Sequence, residues 1–287
     1  MAQNLQQLKK RIKTSNSIAQ IAKAMEAISA SKIRKVQDSV EKHNPYAKKI
    51  KYMVQRILAD EDLYDDKDLH DDVEKFAKEK SGKCLVYIIS PDKGLAGGLV
   101  VNLFKKVSSY LKSDDYVVVI GKKAASEAAK YGYNVVASFS MGTDFPKYDD
   151  LYPMIDITKK LYLSGETARV SVVYTEFKNM FLQESTIEEI FPVKPDKNFK
   201  KTGMDYIFEP NSQQILKGLL PFYFEVEFYS AFMNAYASEQ AARMIAMKNA
   251  KDSANDISAS LTNIYNKSRQ EKITSEILDL ANGQQGI

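Results

Sequence analysis

The sequence predicts an α/β protein in which a long antiparallel coiled coil of N- and C-terminal helices carries an inserted, Rossmann-like α/β domain. Three observations predict it. Glycine weakens a helix interior by about 1 kcal/mol relative to alanine; residues 1–81 and 219–282 contain none, while residues 82–218 hold ten of the twelve glycines and six of the eight prolines. In both glycine-free zones apolar residues recur every three or four positions. Between them, short β-branched runs alternate with helix-like segments, the pattern of a parallel α/β sandwich. The expected division is a shaft of residues 1–58 with 211–287, an acidic helical or linker segment at 59–81, and an α/β domain at 82–210.

In the first zone Leu5, Leu8, Ile12, Ile18, Ile21, Met25, Ile28, Ile33, Val36 and Val40 mark a stripe with the average step of a two-helix seam. Ala19, Ala22, Ala24, Ala27 and Ala30 favour helix and allow another backbone to approach closely. Pro45 predicts a kink or break, after which Ile50, Met53, Val54 and Ile57 resume the helical spacing. In the last zone Met247, Ala250, Ala254, Ile257, Leu261 and Ile264 form the matching stripe, and Gly283 reads as a C-terminal stop. Two such helices bury their stripes most simply on each other. Phe222, Phe224, Phe228 and Phe232 predict exposed apolar surface and poor solubility without partners.

The register continues past Ile264 onto Ser268, Glu271 and Ser275, within "NKSRQEKITSEI", so the helix outlasts its apolar seam there. Paired antiparallel, the first residues of the chain fall near residue 265. Beyond that point the C-terminal helix has no partner within the chain.

In the middle, "CLVYIIS", "YVVVIG", "NVVASFS" and "RVSVVYTEF" read as strands. "LVVNLFKKVSSYLK", "KKAASEAAKYG" and "DDLYPMIDITKKLYLSG" read as the helices between them, and "STIEEIFPV" and "YIFEP" as edge strands.

Several function classes fall away on composition. The single Cys84 permits no intrachain disulfide and, with only His43 and His70, little of a Cys/His metal site; it reads as a small buried strand residue. No window approaches the roughly 18 uninterrupted apolar residues of a membrane span. The N-terminus lacks a secretory signal's apolar segment, which points to the cytoplasm. Residues 1–56 carry 13 Lys plus Arg against three acids, although the whole chain has a formal net charge of only +4. With no aromatic before Tyr46 to stack on bases, and lysines all round the helix, this basic rod fits an acidic protein better than nucleic acid. Residues 60–74, with nine acids and one lysine, lack the glycine of a Ca²⁺ loop and read as a solvated linker. The loop "SPDKGLAGG" invites a nucleotide-binding reading, but Gly94, Gly97 and Gly98 do not have the spacing G-x-G-x-x-G and no Gly-Lys-Ser/Thr follows. Ser90 has no histidine at a recognisable spacing. A catalytic domain with helical arms and a passive tether remain the rival readings.

The chain resembles the γ subunit family of F-type ATP synthases along essentially its whole length. The resemblance is carried by "IAKAMEAISASKIRK" and "NPYA" near the start, "SPDKGLAGG" in the middle, and "ASEQAARMIAMKNAKDSANDI" and "YNKSRQEKITSEI" at the end. It implies a rotor shaft without catalytic, cofactor or metal sites, coupling rotation of a membrane c-ring to ATP synthesis or hydrolysis on β subunits. It implies as partners three α and three β subunits, an ε subunit and the c-ring, with no nucleic acid, no insertion into the membrane and no homo-oligomer. The implied location is peripheral, on the cytoplasmic face of the plasma membrane. By resemblance, Lys23, Met25, Arg243, Arg269, Gln270, Thr274 and Glu276 meet the α/β ring, and Tyr206, Phe208 and Glu209 meet the c-ring. Arg269 suits a carboxylate, which its planar fork binds through two parallel hydrogen bonds. The family's loop cysteine is Ala96 here, so thiol chemistry is not expected at that loop.

Overall fold

The computed structural model describes residues 2–59, 81–142, 145–194 and 207–283. The acidic run at 60–74 and Tyr206 lie outside the described residues. The element order is α1 (Ala2–Leu58), β1 (Cys84–Ile89), α2 (Leu99–Tyr110), β2 (Tyr116–Ile120), α3 (Lys122–Tyr131), β3 (Val135–Phe139), a 3-10 turn (Tyr148–Leu151), α4 (Tyr152–Leu163), β4 (Arg169–Phe177), β5 (Gln183–Phe191) and α5 (Ser212–Gly283). The chain divides into two compact units, Met1–Ala30 with Arg243–Ile287, and Ser31–Ala242.

The larger unit is built on a sheet in the order β3-β2-β1-β4-β5. β3, β2, β1 and β4 run parallel, and β5 pairs antiparallel with β4 through a hairpin. β1 reads as an unbroken apolar run because both of its faces are covered. Cys84, Val86 and Ile88 pack with Leu103, Phe104 and Val107 of α2 and with Ala124 and Ala128 of α3. Leu85, Tyr87 and Ile89 face the other way, into a core shared with α4, with Ile50, Val54 and Ile57 of α1 and with the first thirty residues of α5. The period-two alternation of the strand therefore sorts the domain into layers.

The expected break at Pro45 and the expected strand at "YIFEP" are corrected. α1 runs through Pro45 without a break. A proline inside a helix costs about 3 kcal/mol, and burial of Val36, Ile50, Val54 and Ile57 along one face offsets that. α5 likewise continues through Pro221. Of "YIFEP", residues 207–210 form no strand; Pro210 has no N–H to give a ladder.

The phenylalanines of α5 are corrected as well. Phe224, Phe228 and Phe232 are at most 2% exposed, and only Phe222 stands half in solvent. Phe191, Phe224 and Phe228 stack in series with ring centroids 5.8 and 5.3 Å apart, and Tyr87 meets Phe228 edge-on at 4.9 Å. Tyr87 satisfies its buried hydroxyl by donating to the Met154 carbonyl at 2.8 Å and by sharing a hydrogen bond with Thr158.

Candidate functional site

In the smaller unit the two helices pair antiparallel. On α1 the buried positions are Leu8, Ser15, Ala19, Ala22 and Ser29, so that Leu8, Ser15, Ala22 and Ser29 repeat every seven residues. Facing them on α5 are Met247, Ala254, Ser258 and Leu261. Ser15 Oγ donates to the Ala254 carbonyl at 2.7 Å, Ser258 Oγ to Asn16 Oδ1 at 2.7 Å, and Lys251 Nζ to Glu26 Oε2 at 2.9 Å. The steps from Met247 to Leu261 include two fours in succession, Ala250 to Ala254 to Ser258. Such an insertion locally unwinds a coiled coil. Carried on residue for residue, this pairing sets Leu5 opposite the region of Ser268, where the sequence predicts the seam to end.

The isoleucines lie elsewhere. Ile18, Ile21 and Ile28 are 49%, 61% and 57% exposed, and Ile257 and Ile264 about as much, so these residues do not belong to the internal seam. Small side chains let the backbones close to hydrogen-bonding distance, and bulky β-branched ones on the same flank would hold them apart. Inside the pair, serine and alanine alternate with Leu8, Met247 and Leu261, while Ile18, Ile21, Ile28, Ile257 and Ile264 stand outside.

Of the partner-binding residues expected from the sequence in this unit, Lys23, Arg269, Gln270, Thr274 and Glu276 are exposed, Met25 is half-buried and Arg243 is buried. Met25 is half-buried and falls on the outward stripe Ile18, Ile21, Met25, Ile28, with exposed Lys23 beside it. Arg243 is buried, eight residues before Lys251 on α5, or roughly 12 Å along the axis. Arg269, Gln270, Thr274 and Glu276 are all exposed; Arg269, Gln270 and Glu276 lie three or four residues from Ile273, the offsets that make helical neighbours, and Thr274 lies four residues from Gln270. Thr274 Oγ1 donates to the Gln270 carbonyl at 3.0 Å, and Glu276 pairs with Lys272 at 3.3 Å. Among the described residues Arg269 has no ion-pair partner, which leaves its guanidinium fork presented to solvent. In the larger unit, Phe208 packs against the main core, Glu209 is exposed, and Ile207, which the sequence reading passed over, is 89% exposed. The outward isoleucines were passed over as contacts too. Their 18-21-25-28 spacing is visible in the sequence but reads there as the internal seam.

The loop after β1 is already filled by the chain's own carboxylate. Asp92 accepts the Lys122 N–H at the start of α3 at 2.8 Å, the Ser140 hydroxyl at 2.6 Å and the Gly142 N–H at 2.7 Å. Burial pushes the Asp92 carboxyl up, but hydrogen bonds from Ser140 and the Lys122, Gly142 and Met141 backbones outweigh it and hold the group below its ordinary range. A helix N-terminus at this edge of a doubly wound sheet is where a phosphate would bind, and Asp92 occupies it. Gly121 shows how closed the turn is: at φ +100° its missing Cβ would lie 1.9 Å from the Ser90 carbonyl oxygen. Among the described residues no group of three His, Cys, Asp or Glu could hold a metal ion, and no helix is long and apolar enough to cross a membrane. Cys84 is buried in the sheet.

The family model for ATP synthase, of the gamma type, matches residues 4–287. The ATP synthase gamma chain of Dehalococcoides mccartyi strain BAV1 is 35% identical over 283 residues, covering 98% of both chains. The chain belongs to the ATP synthase gamma chain family. The gamma chain of Roseiflexus castenholzii is 34% identical, with 96% of each chain covered. The gamma-chain fold extends to distant structures. The rotor of the Euglena gracilis mitochondrial ATP synthase superposes at a TM-score of 0.69 with 16% identity, covering 95% of this chain and 100% of that one. The central stalk and c-ring structure from Tetrahymena thermophila reaches 0.60 at 22% identity, covering 80% and 99%. This gamma chain therefore shares its fold, long terminal helices and a central, mostly parallel sheet, with these solved structures.

Proposed function

We propose that this chain is the central rotor shaft of an F-type ATP synthase, a non-catalytic subunit that couples ion-driven rotation of a c-ring to ATP synthesis or hydrolysis on β subunits. One observation carries the reading: the helical pair of the smaller unit closes its own seam largely with serine, alanine and a few leucine and methionine side chains, and turns five isoleucines outward. Exposed apolar stripes of this length mark a surface that another protein covers. A ring of three α and three β subunits around the pair would bury Ile18, Ile21, Ile28, Ile257 and Ile264. Around Ile273, Arg269 and Gln270 would engage a β-subunit loop, with Thr274 and Glu276 alongside; Lys23, Met25 and Arg243 would meet the ring further along. Phe208, Glu209 and Tyr206 would serve the c-ring, with the ε subunit bound nearby, on the cytoplasmic face of the plasma membrane.

Coupling follows from asymmetry. The pair has different side chains on each flank, so each orientation of the shaft binds open and closed β subunits with different free energies, and the sites in turn favour particular orientations.

The test is Arg269→Ala with Gln270→Ala in the reconstituted complex. The shaft reading expects ATP turnover to fall by at least about tenfold, the loss of one or more charge-assisted hydrogen bonds. Unchanged turnover with normal assembly would instead favour a tether that only spaces its partners.

A further inference from the structure

The β4–β5 hairpin ends in an apolar tip. Met180, Phe181 and Leu182 follow one another at its apex, with Phe181 87% and Leu182 53% exposed. Met180 is half-buried, but Phe181 and Leu182 are apolar residues facing solvent at a turn, which weakens solubility and marks function when they are held in place.

They are held in place. Asn179 Oδ1 accepts the N–H groups of both Phe181 and Leu182 at 2.9 Å. The Leu182 carbonyl accepts the N–H groups of Lys178 and Asn179 at 3.2 Å. Gln183 Nε2 donates to the carbonyls of Asn179 at 3.1 Å and Met180 at 2.9 Å. These bonds fix the backbone of the turn, which presents the Phe181 ring to solvent. An aromatic ring on a pre-ordered loop binds without the entropy of ordering the loop, which is how a few anchor residues dominate an interface.

The surrounding charge selects the kind of partner. Lys178 is paired with Glu176 at 2.6 Å, and Glu184 stands exposed on its other side. An anionic membrane surface attracts unpaired lysine and arginine and repels this arrangement. A protein cleft with an apolar floor and a basic rim fits both the ring and the carboxylates.

We propose that residues 178–182 form a rigid plug that seats Phe181 and Leu182 in an apolar cleft, rimmed by lysine or arginine, on another subunit of the complex. The proposal rests on the shaft reading only for the complex in which it is tested. That complex is purified with the photoreactive residue p-benzoylphenylalanine in place of Phe181 and irradiated. One adduct is expected, to a single other subunit, at a peptide containing apolar residues and a lysine or arginine. In parallel, Phe181→Ser with Leu182→Ser should leave thermal unfolding of the free chain unchanged and speed dissociation of that subunit about tenfold. Glu184→Lys should speed it at low salt and have little effect at high salt. Adducts to lipid alone, to a second copy of this chain alone, or none at all overturn the proposal, as does a double-serine variant with unaltered dissociation. A wild-type chain that co-purifies with no other subunit overturns the shaft reading along with this one, whereas an intact complex without the adduct overturns this one alone.

Discussion

Ser15 gives its hydroxyl hydrogen to the backbone carbonyl of Ala254, 2.7 Å away on the antiparallel helix. Side-chain to backbone bonding across a helical pair requires small residues on both sides of the contact, and Ala19 and Ala22 extend that close approach along the next turns.

Ala22→Leu should therefore destabilise the helical pair. Ala22 is 3% exposed, and forcing a larger side chain into a packed seam costs about 1–3 kcal/mol. Hydrogen exchange of α1 amides in the full-length chain reads this directly, and unchanged protection near Ala22 would show the seam to be loose.

Ile21→Ser acts in the opposite place. Its side chain is 61% exposed, so unfolding of the free chain should shift by no more than about 0.5 kcal/mol. Solubility should rise. In the reconstituted complex the same variant should assemble less well, measured as the fraction of chain retained with the ring; full retention would argue against Ile21 as a contact.

Gly121→Ala should be among the most damaging single changes in the sheet domain. The new Cβ would meet the Ser90 carbonyl oxygen at 1.9 Å and sit at φ +100°. Positive φ alone costs about 1–3 kcal/mol, and the backbone clash adds to it. A urea midpoint close to wild type would mean that the turn relaxes.

Asp92 predicts acid sensitivity. Its hydrogen bonds hold the folded carboxyl below its ordinary value of 3.8. A lowered carboxyl contributes stability that is present above the unfolded value and lost as pH falls through the folded one. Asp92→Asn should remove that part of the slope on the acid side of the ordinary carboxyl value of 3.8, as read from urea midpoints.

Glu227 predicts the reverse slope. Burial lifts its carboxyl to about 7, the Lys51 ammonium at 3.5 Å pulls it down, and neighbouring Glu188 pushes it up. A raised value makes the contribution full below the ordinary 4.5 and lost as pH rises through about 7. Glu227→Gln should flatten the fall in melting temperature across that interval. An unchanged fall would place its origin elsewhere.

The layered sheet was legible because β1 declares itself: six apolar residues bounded by turns, with helix-like segments on either side. The two terminal helices were legible from the absence of glycine. Which stripe of α1 they share was not. Ile18, Ile21 and Ile28 are more apolar than Ser15, Ala22 and Ser29, so hydrophobic periodicity alone selects the wrong flank. Periodicity reports that a face is covered without saying by what. α1 carries two covered faces, one against its own chain and one, on the proposed function, against another protein. Pro45 misled for a related reason: a local rule about proline yields to packing along the whole helix. Phe181 was invisible in sequence because "KNMFLQ" falls between the runs that read as strands, "RVSVVYTEF" and "STIEEIFPV", and periodicity says nothing about which residues of so short a connection face solvent.

The outward isoleucines also bear on manufacture. A chain whose most water-averse flank is finished only by other polypeptides is safe inside its assembly and sticky outside it. Surplus copies would clump before they were of use, so the cell gains by making this protein in step with the ring that sheathes it.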